Sequence, residues 1–398
     1  MAAFRTIISR IVIASVFVLF LIGIIIFARG YRLDLQQKTL SSTGILAISS
    51  SPKAAKVYVN GELKGVTDIN LPLPPGTYTV EIKKDGYANY AETLVLRGEL
   101  VEAIDPILFP INPSLTPLTN LGIVKAVQVD QSDRLILFSD NGVPEKDGIY
   151  LFEAGKRTLS FFPPLKPLLL KSAVSAQVDF KKSSVLFSYD FKQAIVEFSL
   201  PDETTLSYLI SLDQENQQAF DVSTSKNTLL EAWEKERQKE RLKLAEALPK
   251  EIRKIATDSF QIVSLSPDQT KVLYKSKKDT TLPLVIKPPL IASNQTKEER
   301  NIQKEGLYVY DKREDKNFRV GGKNSPDILW YFDSKRLVFK EGNTIAIILY
   351  DGQNKQVVYS GPIEEGFFAS TSDGKVLIMA NLNPQFNKLP DVYEVGIR

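Results

Sequence analysis

The chain has 398 residues, more than one ordinary domain, and its 43% hydrophobic and 24% charged residues are typical of a globular protein with a sizeable core. It contains no cysteine and no histidine, which excludes disulfides, thiol nucleophiles and thiolate zinc sites and removes the commonest general base and metal ligand. The net charge of +3 is too small to indicate nucleic-acid binding, and we expect no cofactor.

Residues 11–28 form an uncharged apolar segment flanked by Arg10 and Arg29. As a helix this segment would be roughly 27 Å long, close to the thickness of a bilayer core. We therefore predict a single-pass anchor within residues 1–35; a cleaved signal peptide is the alternative, but its apolar core is usually shorter. The charges on the two sides nearly balance and do not decide the orientation. The residues predicted to form the anchor are Ile11, Val12, Phe17, Leu19, Phe20, Leu21, Ile25 and Phe27.

After a polar tether at residues 36–43, short β-type segments alternate with turns up to residue 106. Asn60-Gly61 suits a type I′ hairpin turn, and Tyr78, Val80 and Ile82 alternate on one face of a strand. Six or so short strands in about 60 residues predict a small antiparallel β-sandwich.

Three stretches of residues 44–106 resemble the PEGA domain: SSSP at 49–52, VYVNGELKG at 57–65 and LPPGTYTVEIKKDGY at 73–87. The Pro-Glu-Gly-Ala motif that gives the family its name is replaced in this sequence by Pro52-Lys53-Ala54-Ala55. PEGA domains are extracytoplasmic modules without catalytic residues. The resemblance implies a cytoplasmic N-terminus and a body outside the cytoplasm at the cell membrane.

Residues 107–398 repeat a pattern of an apolar strand, a polar turn and a second strand. Repeats of three or four strands every 40–50 residues or so are typical of propeller blades, and five or six blades would fit. SPDQTKVLY at 266–274 resembles TolB-type propeller repeats. A strand near residues 118–124 would close the ring, and a pair of β-sandwiches is the alternative topology. The second strands of the repeats are predicted to start at Leu135, Val185, Val272, Leu337 and Val376.

Two insertions interrupt the β pattern, a helical one at residues 226–256 and a loop at residues 283–305. Thr228 and Glu231 have the spacing of a capping box at the start of the helix. Its apolar side chains gather at both ends and leave a charged middle, so it either packs on the propeller or docks a partner. The candidate partner-binding residues are Leu229, Leu230, Trp233, Leu244 and Leu248.

The sequence lacks nucleotide-binding loops, the serine-hydrolase elbow and the zinc-protease motif. Asp130, Asp179 and Asp333 are candidates for a carboxylate pair of the glycosidase type, although aspartate at such positions is also a common turn residue. We therefore predict an all-β, non-enzymatic protein with one transmembrane helix, which binds or scaffolds an envelope protein or a surface polymer. A carboxylate-dependent glycan hydrolase and a ligand sensor are the alternatives.

Overall fold

The computed structural model describes residues 2–28, 31–34, 39–130, 132–143, 145–155, 165–175, 178–200, 204–291 and 293–397. The chain forms two compact units. Unit 1 comprises residues 1–109 and 291–295, and unit 2 comprises residues 110–290 and 296–398. Both are mostly β-structure, as the sequence predicted.

Unit 1 contains a helix, a hairpin and two small sheets. The sheets have the strand orders β6-β3-β9 and β5-β4-β7-β8, and β3 and β9 run parallel. Leu46, Val57, Val80 and Ile82 are buried in a core shared by both sheets, which is the arrangement of a β-sandwich. The elements are α1 (Ala2–Ala28), β1 (Tyr31–Asp34), β2 (Thr39–Ser42), β3 (Gly44–Ile48), β4 (Lys56–Val59), β5 (Glu62–Val66), β6 (Ile69–Leu73), β7 (Gly76–Lys83), β8 (Tyr90–Leu96) and β9 (Val101–Ile104).

The hairpin between β4 and β5 has the turn that its sequence predicted. Asn60 and Gly61 have φ angles of 52° and 81°, and Val59 pairs with Glu62 across the turn. Asn60 also accepts a hydrogen bond from the Thr79 N–H at 2.9 Å, which ties the turn to β7.

The predicted transmembrane helix is wrong. In the part of the chain that the structure describes, no helix is sufficiently long and apolar to span a bilayer. Of the predicted anchor residues, the exposed ones are Phe17, Leu19, Phe20, Leu21 and Ile25. The side chains of Ile11, Val12 and Phe27 lie outside the description, as do tether residues 36–38.

Unit 2 is built from five four-stranded antiparallel sheets in its described residues, which we call blades 1–5. Blade 5 takes its outer strand from the start of the unit, because β10 pairs with β31. Blade 1 contains β11 (Ile123–Gln128), β12 (Arg134–Ser139), β13 (Gly148–Glu153) and β14 (Leu165–Leu170), and blade 2 contains β15 (Ser184–Phe187), β16 (Gln193–Ser199), β17 (Thr205–Ser211) and β18 (Phe220–Asp221). Blade 3 contains β19 (Phe260–Leu265), β20 (Lys271–Ser276), β23 (Leu307–Asp311) and β24 (Lys316–Gly321), with the small hairpin β21 (Thr280–Thr281) and β22 (Asn301–Ile302) inserted between β20 and β23. Blade 4 contains β25 (Ile328–Trp330), β26 (Arg336–Glu341), β27 (Thr344–Leu349) and β28 (Gln356–Ser360), and blade 5 contains β29 (Phe368–Ser370), β30 (Val376–Ala380), β31 (Asp391–Gly396) and β10 (Ser114–Pro117).

Successive blades share apolar cores. Ile136 and Phe138 of blade 1 pack with Val196 and Phe198 of blade 2, and blades 5 and 1 meet through another buried cluster. Blades 3 and 4 share a third cluster around Val309. A ring of sheets that bury their faces against their neighbours is a β-propeller.

Two helices, α2 (Lys226–Glu246) and α3 (Lys250–Ser259), lie between blades 2 and 3. Trp233 of α2 packs on Ile195 of blade 2, whereas Ile252 of α3 is buried against blade 3. The sheet faces that would otherwise meet a neighbouring blade are therefore covered by helices. Together α2 and α3 form a helical wedge that completes the ring.

The structure corrects three local predictions in unit 2. The strand that begins near Val185 is the first of blade 2 and not the second, so the predicted repeat is displaced there by one strand. The strand that closes the ring is β10, slightly before the predicted residues 118–124. Helix α2 begins at Lys226 with Ser225 as its N-cap, and no side chain caps it, so the capping box is absent.

Candidate functional site

The two ends of the propeller differ in their connections. Because each blade is an antiparallel meander, the turns that join its first and second strands lie at one end of the ring, which we call the turn end. The connections from second to third strand, and the crossovers to the next blade, lie at the opposite end, which we call the insertion end.

At the turn end the same tight turn occurs in all five blades. In each, the N–H of the fourth residue donates to the C=O of the first, and the turns are residues 129–132, 188–191, 266–269, 331–334 and 371–374. In blade 3, burial disfavours the charged form of Asp268, but hydrogen bonds from Ser266 and Thr270 outweigh it and lower the Asp268 pKa to about 2.

Neighbouring turns are also joined to each other. The Asp268 N–H donates to Ser334 Oγ of the next blade at 3.0 Å, and the Ser372 N–H donates to Asp133 Oδ1 at 2.7 Å. The Tyr331 hydroxyl donates to the Gly374 C=O at 2.8 Å. Hydrogen bonds between turns therefore join blade 3 to blade 4, blade 4 to blade 5 and blade 5 to blade 1 at this end.

The insertion end carries the helical wedge, residues 277–306 with their small hairpin, and residues 381–390. The last loop presents Phe386, whose side chain is 81% exposed. The Phe386 N–H donates to the Asn383 C=O, and the Asn381 side-chain amide donates to the Asn387 C=O at 2.8 Å. An aromatic ring on a loop held by its own hydrogen bonds is a suitable anchor for a partner.

The loop at residues 283–305 is fastened to blade 3 through Asp315. This buried carboxylate accepts hydrogen bonds from the N–H groups of Val285 and Ile286 at 2.6 and 2.9 Å. Arg300 lies 3.4 Å from the same carboxylate, and the Tyr310 hydroxyl donates to it at 2.8 Å. Burial, reinforced by Asp315, raises the pKa of Tyr310 well above its ordinary value. Val285, Ile286 and Arg300 are thus held against blade 3 at the insertion end.

A cleft of about 160 Å³ opens at this end between blades 3 and 4. Its floor is apolar and comes from both blades, with Leu273, Leu307 and Ile328 all buried. Its mouth is polar. The residues at the mouth are Gln261, Lys275, Lys323, Ser325 and Asp327.

The mouth contains charges without partners among the described residues. Lys275 is half-buried, and neither it nor the exposed Asp327 forms an ion pair or a side-chain hydrogen bond there. Lys323 lies 3.5 Å from Glu305. Gln261 is directly opposite Lys275 on the neighbouring strand. This cleft is the candidate site.

The candidate residues of the helical insertion lie mainly in packing contacts. Trp233 is 8% exposed, and Leu229 and Leu230 pack beside it on blade 2. Leu248 is buried in a separate cluster with blade 3, and Leu244 is half-buried. The five side chains therefore do not form one surface. This burial favours the packing alternative, and their partner-binding role stays a prediction.

The three candidate aspartates are not brought together. Asp130 and Asp333 lie in turns at the turn end, whereas Asp179 lies in the crossover from blade 1 to blade 2 at the insertion end. Asp179 accepts the Lys181 N–H, and Asp333 accepts the N–H groups of Lys335 and Arg336. These are the contacts of turn residues. No group of three acidic residues suited to a metal occurs in the described part of the chain.

Comparison with family models matches residues 43–104 to the PEGA domain. Unit 1 contains a PEGA domain. The matched residues form the two small sheets that contain β3 and β4. Ala54, which takes the third position of the Pro-Glu-Gly-Ala motif, lies in the turn before β4. No curated protein matches the chain.

Among solved structures, the chain is similar to a putative TolB from Agrobacterium tumefaciens, with 11% identity, 67% of this chain and 76% of the other covered, and a TM-score of 0.23. TolB from Acinetobacter baumannii has 11% identity, coverages of 80% and 59%, and a TM-score of 0.19. The β-propeller domain of the Trilobed protease from Pyrococcus furiosus has 12% identity, coverages of 90% and 94%, and a TM-score of 0.20. The assignment of unit 2 as a propeller depends on the five blades described above.

The sequence did not indicate the cleft residues. Gln261 and Lys275 belong to blade 3 and Asp327 to the crossover into blade 4, and the three line one cleft only because of how these blades pack. One weak signal existed, since Lys275 directly follows the apolar run Val272-Leu273-Tyr274 within a strand whose other residues are buried.

Proposed function

We propose that this protein is a binding or scaffolding module whose partner, an envelope protein or surface polymer, docks on the insertion end of the propeller. The observation that carries the proposal is the asymmetry between the two ends. The turns of one end form hydrogen bonds with each other, whereas the other end carries the insertions, the exposed Phe386 and a cleft in which Lys275 and Asp327 have no ion pair within the described part of the chain. Binding residues are disproportionately placed on loops held by a rigid scaffold.

Two features favour binding over catalysis. The cleft, at about 160 Å³, is smaller than the roughly 300–1,000 Å³ of most small-molecule sites. Of the three candidate aspartates, Asp179 lies at the opposite end of the ring from Asp130 and Asp333. Asp179 and Asp333 accept N–H groups of their own turns, which is the role of turn residues and not of a catalytic pair. The PEGA domain of unit 1 supports a scaffolding role and a location outside the cytoplasm.

Site-specific photo-crosslinking tests the proposal. A photoreactive amino acid is placed at Asn324 or Gln385 on the insertion end, and at Lys335 or Gln353 on the turn end as matched exposed controls. The full chain is produced in its native cells, irradiated and analysed by mass spectrometry. We expect one partner to be crosslinked from the insertion-end positions alone. The proposal is wrong if that partner is crosslinked equally from the turn end, or if no partner is crosslinked from the insertion end.

A further inference from the structure

The size and floor of the cleft limit what it can hold. At about 160 Å³ it has room for one side chain and not for a whole small-molecule ligand. Leu273, Leu307 and Ile328 line the floor, so an aliphatic side chain fits it best. No polar group of the occupant would find a partner there.

Lys275 is the less exposed of the two charged residues at the mouth that lack an ion pair among the described residues, the other being Asp327, and we take it as the group that pairs with the occupant. Lys275 lies directly across from Leu307 on one neighbouring strand and from Gln261 on the other, so its side chain is on the same face of the sheet as Leu307 of the floor. Because Lys275 forms no ion pair among the described residues, a carboxylate of a ligand can pair with its ammonium group. The side-chain amide of Gln261 has no hydrogen bond to the other residues that the structure describes, and it is suited to a peptide N–H or C=O.

We propose that the cleft between blades 3 and 4 binds the C-terminal residue of a partner polypeptide, and that this residue is aliphatic. A C-terminal residue carries an apolar side chain and a carboxylate on the same Cα atom. It therefore supplies both required groups within a cleft that has room for only one side chain. The side chain fills the floor, the terminal carboxylate pairs with Lys275, and Gln261 bonds the last peptide group. This inference rests on the proposed function and names the chemistry of the partner.

The test uses two fluorescein-labelled peptides, each ending in Gly-Ser-Leu, one with a free C-terminal carboxylate and one with a C-terminal amide. Binding to the full chain is measured by fluorescence anisotropy. We expect the amide to bind about tenfold or more weakly, since a hydrogen bond between charged groups is lost. Lys275→Gln should weaken binding of the carboxylate peptide to a similar extent and abolish its preference over the amide.

Lys277→Gln is the matched control, because Lys277 follows the same strand but is exposed and does not line the cleft. Val263→Glu is a second test that does not disturb the core, since Val263 is exposed at the cleft, and it should abolish binding. Melting temperatures confirm that each variant is folded.

Equal binding of the two peptides would overturn the inference, as would no binding of the carboxylate peptide at up to about 5 mM. Preferential binding of a peptide with an internal glutamate and an amidated end would also overturn it. These results would leave the crosslinking from Gln385 unaffected, so failure of this inference is distinguishable from failure of the proposed function. Conversely, peptide binding without insertion-end crosslinks would contradict only the broader proposal.

Discussion

At the scale of single residues, Ala54 has an unusual backbone conformation. Its φ angle is 58°, in the left-handed region where alanine is disfavoured, and it takes the position of the glycine in the Pro-Glu-Gly-Ala motif. The Ala54 N–H donates to the Thr67 C=O at 3.0 Å, and Lys84 Nζ donates to the neighbouring Lys53 C=O at 2.8 Å. These contacts hold the turn in place although the residue that would favour its conformation is absent.

We expect Ala54→Gly to stabilise unit 1. The left-handed conformation costs alanine about 1–2 kcal/mol, and the greater chain entropy of glycine offsets about half of this, which leaves a gain of up to about 1 kcal/mol. Hydrogen exchange of the amides in β4 and β7 measures the change in the full chain. Ala103→Gly in strand β9 is the control and should reduce protection, because glycine weakens a strand. Reduced protection in Ala54→Gly would show that the turn does not strain alanine.

Residue-level signals predicted local geometry well and the site poorly. Asn60-Gly61 specified its own turn, because positive φ angles are a local property of those two residues. The importance of Lys275 depends on residues about 50 positions later in the chain, and its lack of an ion-pairing partner follows only from how blades 3 and 4 pack. Single-sequence periodicity carries no information about that contact.

At the scale of elements, strand periodicity located the strands but not their order within a blade. The strand at Ser184–Phe187 opens blade 2, and Asp190 in the turn that follows corresponds to Asp268 of blade 3. Both aspartates accept a hydrogen bond from the first serine of the turn. Aligning blade 2 with blade 3 on this turn would have predicted the strand order of blade 2 correctly, whereas aligning the two on their apolar runs displaced it by one strand.

Helix α2 illustrates what a sequence pattern leaves open. Its apolar ends indicated two contact sites but not which surfaces they meet. The structure places one end on blade 2 and the following helix on blade 3, so the wedge has the structural role of a blade. The charged middle forms ion pairs within the helix, such as Arg237 with Glu234 at 3.0 Å.

We expect Trp233→Ala to lower the free energy of unfolding of unit 2 by about 3–5 kcal/mol, the usual cost of removing a buried tryptophan side chain. Leu242→Ala on the same helix is the control, because Leu242 is 56% exposed and its loss should change stability by less than about 0.5 kcal/mol. Urea denaturation of both variants measures the difference. If Trp233→Ala unfolds like the wild type but loses its crosslinked partner, the residue binds that partner and does not hold the wedge.

At the scale of the whole molecule, the stability of unit 2 depends on closing the ring. Strand β10, near the start of the unit, pairs with β31 near its end, and Asp391 holds the segment that follows β10. The Asp391 carboxylate accepts hydrogen bonds from the Thr119 hydroxyl at 2.8 Å and from the Leu121 N–H at 3.0 Å. Burial raises the pKa of Asp391 despite these bonds. The closure therefore joins segments more than 270 residues apart in sequence through contacts in one blade.

We expect a disulfide between β10 and β31 to stabilise unit 2. Ser114 and Gly396 are paired across β10 and β31, and a Cβ atom on Gly396 would lie 3.5 Å from that of Ser114, which suits a disulfide. The chain has no cysteine, so Ser114→Cys with Gly396→Cys can form a single bond. Oxidation should stabilise unit 2 by up to roughly 5 kcal/mol, because the bond closes nearly the whole unit in the unfolded state.

The matched control is Ser199→Cys with Thr205→Cys, a pair that faces across β16 and β17 and closes only a short loop, for which roughly 2 kcal/mol is expected. Calorimetry of the oxidised and reduced forms of both variants measures the gains. A larger gain for the Ser114–Gly396 pair, with all five blades unfolding in one transition, is the behaviour of a closed ring, since each blade depends on its neighbours for a buried face. Equal gains for the two pairs, or separate melting of blade 5, would show that the ends of the unit are not held together in solution.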